Sequence, residues 1–176
     1  MPILDVAFKS MRAAGIRHLV TVANFETEGL RKRFENDPDC QVTAACREGE
    51  AIAIACGLIA AGVPTVLSME NLGLFECLDT LRGMACVMEV PLPIFVGYLG
   101  HGISLEDAKK MVGGFFGQLT TSGAWTEPVV AGTGVPHRLL SANASDETTA
   151  KVLSEALGAK EPFIVIVDHL NEEKAQ

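Results

Sequence analysis

Two glutamates open an otherwise apolar segment, and their position is compatible with two different roles. The segment is "CREGEAIAIACGLIAAG", residues 46–62, in which Glu48 and Glu50 precede a run of Ala, Ile, Gly, Leu and Cys. Carboxylates in the first turn of a helix stabilise the positive end of its dipole. A carboxylate buried beside an apolar helix instead has a raised pKa, which suits proton transfer. The residues on the helical face of Glu48 are all apolar, and both roles remain open for it.

Three more candidate residues lie in two short segments. Asn71 and Gly73 belong to "SMENLGLF". Asn71 is suited to cap a helix or to contact a ligand, and Gly73 permits a tight turn or a close backbone approach. His101 lies in "YLGHG" between two glycines. A single histidine in a loop is often an exposed bystander, and the alternative is a residue of a ligand site.

Several familiar catalytic and binding patterns are missing from the sequence. It contains no G-x-G-x-x-G or Walker A phosphate loop and no G-x-S-x-G nucleophile motif. The other histidines, His18, His137 and His169, form no grouping typical of a metal site, so we expect no metal ligands. The five cysteines are odd in number and include no C-x-x-C pair, which favours reduced thiols over disulfides or zinc.

Alternating strands and helices must position these candidates. The apolar runs are continuous, which is typical of strands buried on both faces of a parallel sheet. The pattern therefore predicts one α/β domain with a doubly wound, mainly parallel sheet and helices on both faces. The predicted strands are residues 16–22, 40–46, 63–69, 91–99 and 162–170, with a short strand at 127–132. The predicted helices are residues 2–15, 26–37, 48–62, 74–89, 104–119 and 145–159.

The segments that directly follow four of the predicted strands contain every candidate residue. These segments are "ANFET", "CREGE", "MENLG" and "YLGHG". In doubly wound sheets, ligands bind beyond the carboxyl ends of the strands. The sequence therefore predicts a ligand site at this edge, to which Glu48, Asn71, Gly73 and His101 contribute.

The composition restricts the class of partner. The 176 residues are 48% hydrophobic with a mean hydropathy of +0.28, which predicts that part of the surface is buried against another chain. The net charge of −8, without a basic patch, argues against nucleic acid. No apolar run is long enough to span a membrane, and the N-terminal residues lack a signal-peptide pattern, so we expect a cytoplasmic protein.

The order of these motifs resembles a known superfamily. The helix of small residues after the second strand resembles the glutamate helix in the pyrimidine-binding domain of thiamine-diphosphate-dependent enzymes. The residues that carry this resemblance are Glu48, Ala51 and Gly57. The next segment, "TVLSMENLGLFECLDTL", resembles the strand and turn of the sulfopyruvate decarboxylase α-subunit family and of the matching half of phosphonopyruvate decarboxylases. The resemblance extends over residues 1–168, and its most specific part is residues 46–83.

This resemblance implies a cofactor and a role for each candidate residue. Glu48 is expected to hydrogen-bond the N1′ atom of the aminopyrimidine ring of thiamine diphosphate and to share a proton with it. The proton favours the imino form of the ring, which activates the thiazolium for attack on a 2-keto acid. Asn71 and Gly73 are expected to bind the cofactor with Glu48, and His101 is expected to act in catalysis as a proton relay.

Two departures from the family pattern matter. Many relatives have His before the glutamate, where this chain has Arg47. The superfamily binds diphosphate and Mg²⁺ through Gly-Asp-Gly and a distant Asn in a second domain, and this chain contains no Gly-Asp-Gly. We therefore expect residues 1–176 to form only the pyrimidine-binding domain. A separate β subunit would supply the diphosphate-binding domain and most Mg²⁺ contacts, in an α2β2 or larger assembly.

The resemblance thus implies the α subunit of a decarboxylase that acts on a small anionic 2-keto acid, such as 3-sulfopyruvate or 3-phosphonopyruvate. Arg47 and Arg82 are candidates for binding the substrate anion because they lie near the motifs. Two alternatives remain open. One is a thiamine-diphosphate carboligase or another 2-keto acid decarboxylase, and the other is a non-catalytic binding or assembly module with the same fold.

Overall fold

A six-stranded parallel sheet forms the centre of the computed structural model, which describes residues 3–111 and 119–168. Its strand order is β2-β1-β3-β4-β6-β5, and every pair of neighbouring strands is parallel. The strands are β1 His18–Thr21, β2 Gln41–Ala44, β3 Thr65–Glu70, β4 Pro93–Gly97, β5 His137–Ser141 and β6 Phe163–Asp168. The predicted doubly wound α/β fold is confirmed.

Helices cover both faces of this sheet. They are α1 Ile3–Ala13, α2 Glu28–Glu35, α3 Glu48–Ala60, α4 Asn71–Glu76, α5 Leu78–Thr80, a π-helix Leu81–Cys86, α6 Leu105–Lys110, α7 Gly123–Thr133 and α8 Asp146–Gly158. Helices α1, α2 and α8 enclose one apolar core, and α3, the π-helix and α7 enclose the other. Successive residues of a strand point to opposite faces, and in β4 Phe95 enters the first core while Ile94 and Val96 enter the second. None of the helices in the described ranges is long and apolar enough to cross a membrane.

The short strand predicted at residues 127–132 is wrong, because this segment lies inside α7. Its valines favour a strand locally, and Pro128 disfavours a helix interior. Tertiary packing decides the outcome, because α7 buries Thr126 and Val130 completely and ends at Gly134 in the left-handed conformation. The fifth strand is instead β5, an edge strand whose polar and half-exposed residues lack the apolar run of a buried strand.

Two predicted helices differ at their boundaries. The helix expected over residues 74–89 begins at Asn71, directly after β3, and consists of α4, α5 and the π-helix. The helix expected over residues 104–119 is confirmed for α6, where the Ser104 hydroxyl accepts a hydrogen bond from the backbone N–H of Asp107. Residues 112–118 of that prediction lie outside the described residues.

Helix α3 is not buried on every side, although its composition predicts this. Ala51, Ile52, Ala55 and Cys56 are buried against the sheet, whereas Gly57 lies on an exposed surface. Half-buried Ile54, Leu58 and Ile59 pack against the same core. The part of α3 that its own chain leaves exposed consists of the small residues Gly57 and Ala60 together with Glu50.

Two glycines of α7 provide a matched test of the packing between α7 and the loop after β4. A Cβ atom at Gly123 would overlap the backbone carbonyl of Gly100, whereas a Cβ at Gly132 would meet no atom within 4 Å. We expect Gly123→Ala to lower the free energy of unfolding by about 1–3 kcal/mol or more through overpacking. Gly132→Ala should raise it by about 0.5–1 kcal/mol, because alanine is the better helix former.

Urea denaturation of the two variants at neutral pH measures both values. Equal changes of the same sign in the two variants would contradict the close packing of α7 against this loop.

Candidate active site

The candidate residues lie where the order of the strands reverses. The chain passes from β1 to β2 on one side and then returns to place β3 on the other side of β1. Such a reversal leaves a crevice beyond the carboxyl ends of β1 and β3. A crevice of this kind is the usual ligand site of this architecture. The loop after β1, the first residue of α3 and the turn from β3 into α4 all meet at this crevice.

Glu48 is the first residue of α3, and its side chain lies against Gly73. Glu48 is half buried, and a Cβ atom at Gly73 would overlap its carboxylate and Cγ. Only glycine therefore allows this carboxylate to lie on the turn that follows β3. The structure thus brings together two of the four residues predicted from the sequence, one from each side of the crevice.

Glu50 has a different position, which separates the two glutamates at the start of α3. Its side chain is exposed, and its carboxylate accepts a hydrogen bond of 3.0 Å from the backbone N–H of Cys46. This contact satisfies a backbone donor just before the helix, as a capping residue does. The structural role proposed for a glutamate at this helix end therefore fits Glu50, and the carboxylate of Glu48 remains directed at the crevice.

Two further carboxylates, which the sequence interpretation did not select, lie at the same place. Glu70 ends β3, and burial, followed by the negative charges of Glu26 and Glu48, raises its pKa, while a 3.4 Å hydrogen bond from the backbone N–H of Phe25 opposes the rise. Glu26 is completely buried against Gly97 at the end of β4. The sequence signal that could have identified them is their position in "ANFET" and "MENLG", at the ends of two predicted strands. Together with Glu48, these two carboxylates make the crevice acidic.

Asn71 lies in the same turn as Gly73, but its side-chain amide is committed to the protein. The residue is fully buried, and its Nδ2 donates to the carbonyl oxygen of Leu99 at 2.9 Å and to Oγ1 of Thr126 at 2.7 Å. Its Oδ1 accepts from the backbone N–H of Leu72 at 3.0 Å. The Asn71 side chain therefore links the turn that contacts Glu48 to the loop after β4 and to α7 by hydrogen bonds.

His101 lies in that loop and pairs with a residue that the sequence interpretation did not select. Its Nδ1 is 2.6 Å from Oδ2 of Asp168, at the end of β6, and its ring packs against the Tyr98 ring at a centroid distance of 4.7 Å. The structure thus places His101 at the junction of β4 and β6, in a group separate from the Glu48 carboxylate.

The arginines near the motifs are held in surface ion pairs. Arg47 pairs with Glu76, and Arg82 pairs with Asp79 at 2.7 Å.

A mostly apolar cavity of about 460 Å³ lies at the carboxyl ends of β1 and β2, and Arg31 is one of the residues that line it. That guanidinium is bound by two glutamates of its own helix, Glu28 and Glu35. Within residues 3–111 and 119–168, no group of three His, Cys, Asp or Glu side chains is arranged to hold a metal ion.

Comparison with known proteins gives relatives at low identity. No protein-family model matches the chain. The sulfopyruvate decarboxylase α subunit of Methanothermobacter thermautotrophicus is 24% identical over 109 residues, which are 62% of this chain and 66% of that protein. The sulfopyruvate decarboxylase α subunit of Methanococcus maripaludis is 21% identical over 170 residues, or 94% of each chain.

Solved structures with the same fold are parts of larger chains. Benzoylformate decarboxylase from Polynucleobacter necessarius matches 96% of this chain with a TM-score of 0.68 and 19% identity, but this chain spans only 30% of its length. A thiamine diphosphate-dependent 4-hydroxybenzoylformate decarboxylase from Rhodococcus jostii matches with a TM-score of 0.66 and 16% identity. This match also covers 96% of the present chain and 30% of the larger one. The chain thus has a fold found in thiamine-diphosphate-dependent decarboxylases, and the resemblance to sulfopyruvate decarboxylase α subunits predicted from its motifs is confirmed.

Proposed function

We propose that this chain is the α subunit of a thiamine-diphosphate-dependent 2-keto acid decarboxylase and that Glu48 binds the aminopyrimidine ring of the cofactor. The observation that carries the proposal is the Glu48 carboxylate, which lies against Gly73 at the point where the strand order reverses. The relatives support the same reaction class. When bound, thiamine diphosphate supplies the electron sink that decarboxylation of a 2-keto acid requires.

The residues of the crevice fit this cofactor. Glu48 is half buried, and its carboxylate occupies the space at Gly73 that a side chain there would fill. The carboxylates of Glu26 and Glu70 lie at the same crevice, and burial together with the charges of Glu26 and Glu48 raises the pKa of Glu70. A carboxyl group in the position of Glu48 would share a proton with a ring nitrogen in this proposal. Asn71 and Gly73 contribute by fixing the turn against which the ring would lie.

A second subunit completes the site in this proposal. The exposed part of α3 presents the small residues Gly57 and Ala60, which leave room for close approach of another chain, and Val87 and Met88 after the π-helix are 68% and 62% exposed. A β subunit with the Gly-Asp-Gly motif would pack here, bind the diphosphate and Mg²⁺, and cover the crevice. The domain boundary at residues 1–176 and the α2β2 or larger assembly are parts of the same proposal.

The substrate proposed from the relatives is a small anionic 2-keto acid, such as 3-sulfopyruvate or 3-phosphonopyruvate. Arg47 and Arg82 are each held in a surface ion pair, so the β subunit would provide further cations. A second candidate is a 2-keto acid with an apolar side chain. The mostly apolar cavity beside Phe25 favours it, since the two charged residues that line this cavity, Glu28 and Arg31, are paired with each other.

The main test compares the two glutamates at the start of α3. Glu48→Gln keeps the shape of the side chain but cannot share a proton in the same way. In the assembled enzyme we expect the variant to retain the cofactor and to lose at least about 10²-fold in decarboxylation of the best substrate from a panel of 2-keto acids. Exchange of the cofactor C2 hydrogen for deuterium should slow as well.

Glu50→Gln is the matched control, because it alters only the capping contact with Cys46. It should change stability by about 1 kcal/mol or less and leave turnover close to wild type. Equal and mild losses in both variants would mean that Glu48 is only a helix-end residue.

The isolated chain should bind thiamine diphosphate weakly or not at all, even with Mg²⁺, because it lacks the Gly-Asp-Gly motif. Isothermal titration of the full chain, with and without the β subunit, measures this difference. Tight binding to the chain alone would contradict the separate-subunit proposal.

Glu70→Gln should stabilise the isolated chain at neutral pH. Burial, followed by the nearby charges of Glu26 and Glu48, raises the pKa of Glu70, so folding favours its protonated form. The stability gained by that form is lost as pH rises through the folded-state pKa, and glutamine avoids this loss. The variant should therefore exceed wild type in free energy of unfolding near pH 7, with the difference shrinking toward pH 4. Urea denaturation across this range gives the answer, and a difference that stays constant with pH would contradict the explanation.

A further inference from the structure

The loop that contains His101 is held in place on several sides. Gly100 and Gly102 both adopt positive φ angles, of 79° and 83°, which favour glycine. A Cβ atom at Gly100 would overlap the backbone of Thr120, so the loop lies directly on that segment. The carbonyl of Leu99 accepts hydrogen bonds from Asn71 at 2.9 Å and from the Ser122 hydroxyl at 3.3 Å. His101 is thus presented by a fixed backbone.

Asp168 is almost completely buried and faces one nitrogen of the His101 ring. Its residue exposure is 4%, and its Oδ2 lies 2.6 Å from Nδ1 of His101, whose side chain remains 33% exposed. Among residues 3–111 and 119–168, the titratable groups that contact this ring or its neighbour Tyr98 are Asp168 from β6, Tyr98 from the same loop and Glu127 from α7. The Tyr98 hydroxyl donates to Glu127 at 2.9 Å, so Glu127 is bound to tyrosine, and Asp168 is the described carboxylate that pairs with the imidazole.

This arrangement determines which ring nitrogen carries the proton. An ionised carboxylate only accepts hydrogen bonds, so the nitrogen facing Asp168 must donate. In the neutral ring, Nδ1 then carries hydrogen and Nε2 has the free lone pair. Within residues 3–111 and 119–168, the ring contacts Asp168 through Nδ1 and packs on Tyr98, and Nε2 makes no hydrogen bond. Nε2 is therefore the ring nitrogen left to bind another group.

We propose that Asp168 is a positioning residue that holds His101 in the Nδ1–H tautomer and leaves Nε2 to exchange a proton at the active site. The proposal rests on the decarboxylase function proposed above. Decarboxylation of a 2-keto acid to an aldehyde releases CO₂ and consumes one proton per turnover. His101 gives that proton from Nε2 when the ring is doubly protonated and regains one from water, while Asp168 stays ionised and accepts the Nδ1–H bond throughout.

The first test needs no cofactor and uses the isolated chain. The ¹⁵N chemical shifts of the histidine rings, with His101 assigned by His101→Gln, report the tautomer at a pH where the ring is neutral. Wild type should show Nδ1–H, and Asp168→Asn should shift His101 toward Nε2–H, because asparagine can donate to Nδ1. An Nε2–H ring in wild type would overturn the proposal, whether or not the variant folds.

The second test measures turnover in the assembled enzyme. Asp168→Asn should lower kcat by about 10²-fold or more with little change in KM, as expected when proton transfer fails and binding persists. Glu127→Gln is the control, because glutamine still accepts from Tyr98 but removes the neighbouring charge, and both tautomer and kcat should stay near wild type. An unchanged kcat in Asp168→Asn would overturn the positioning role. If wild type has the expected tautomer but decarboxylates no 2-keto acid, the proposed function fails and the tautomer assignment stands.

Discussion

The buried amide of Asn71 connects the two halves of the candidate site. Its hydrogen bonds to Leu99 and Thr126 join the turn after β3, the loop after β4 and helix α7. Gly73 lies two residues beyond Asn71 and supports Glu48, and His101 lies two residues beyond Leu99. An amide that is fully buried must keep its partners, because an unsatisfied polar group costs about 1–3 kcal/mol. Asn71 thus couples the position of Glu48 to that of His101.

The crevice has the properties of a site completed by another molecule. It gathers the carboxylates of Glu26, Glu48 and Glu70, and the charges of the first two raise the pKa of Glu70. The arginines at its rim, Arg47 and Arg31, are already paired with glutamates. Gly57 and Ala60 of α3 and the apolar side chains of Val87 and Met88 are exposed. A β subunit that covers the crevice would explain both the clustered carboxylates and the exposed apolar side chains. It would also exclude water from the crevice and so strengthen the electrostatic interaction between Glu48 and the cofactor.

The sequence predicted the fold and Glu48 because both leave local signals. Continuous apolar runs identify buried strands, and a carboxylate before a helix of small residues is unusual. The segments after the strands also contained Glu26 and Glu70, but their burial comes from packing between elements distant in the chain. The partner of His101 could not be predicted, because Asp168 is 67 residues away and meets it only through the β4–β6 pairing. Helix α7 and the edge strand β5 were missed because tertiary contacts outweigh local propensity there.

A crystal structure of the assembled enzyme with thiamine diphosphate would show whether Glu48 binds the aminopyrimidine ring. We expect a hydrogen bond of about 2.5–3.0 Å between a Glu48 carboxylate oxygen and the N1′ atom, with the ring against the turn at Gly73. A cofactor bound elsewhere, or a ring whose N1′ contacts a different residue while Glu48 faces solvent, would contradict it.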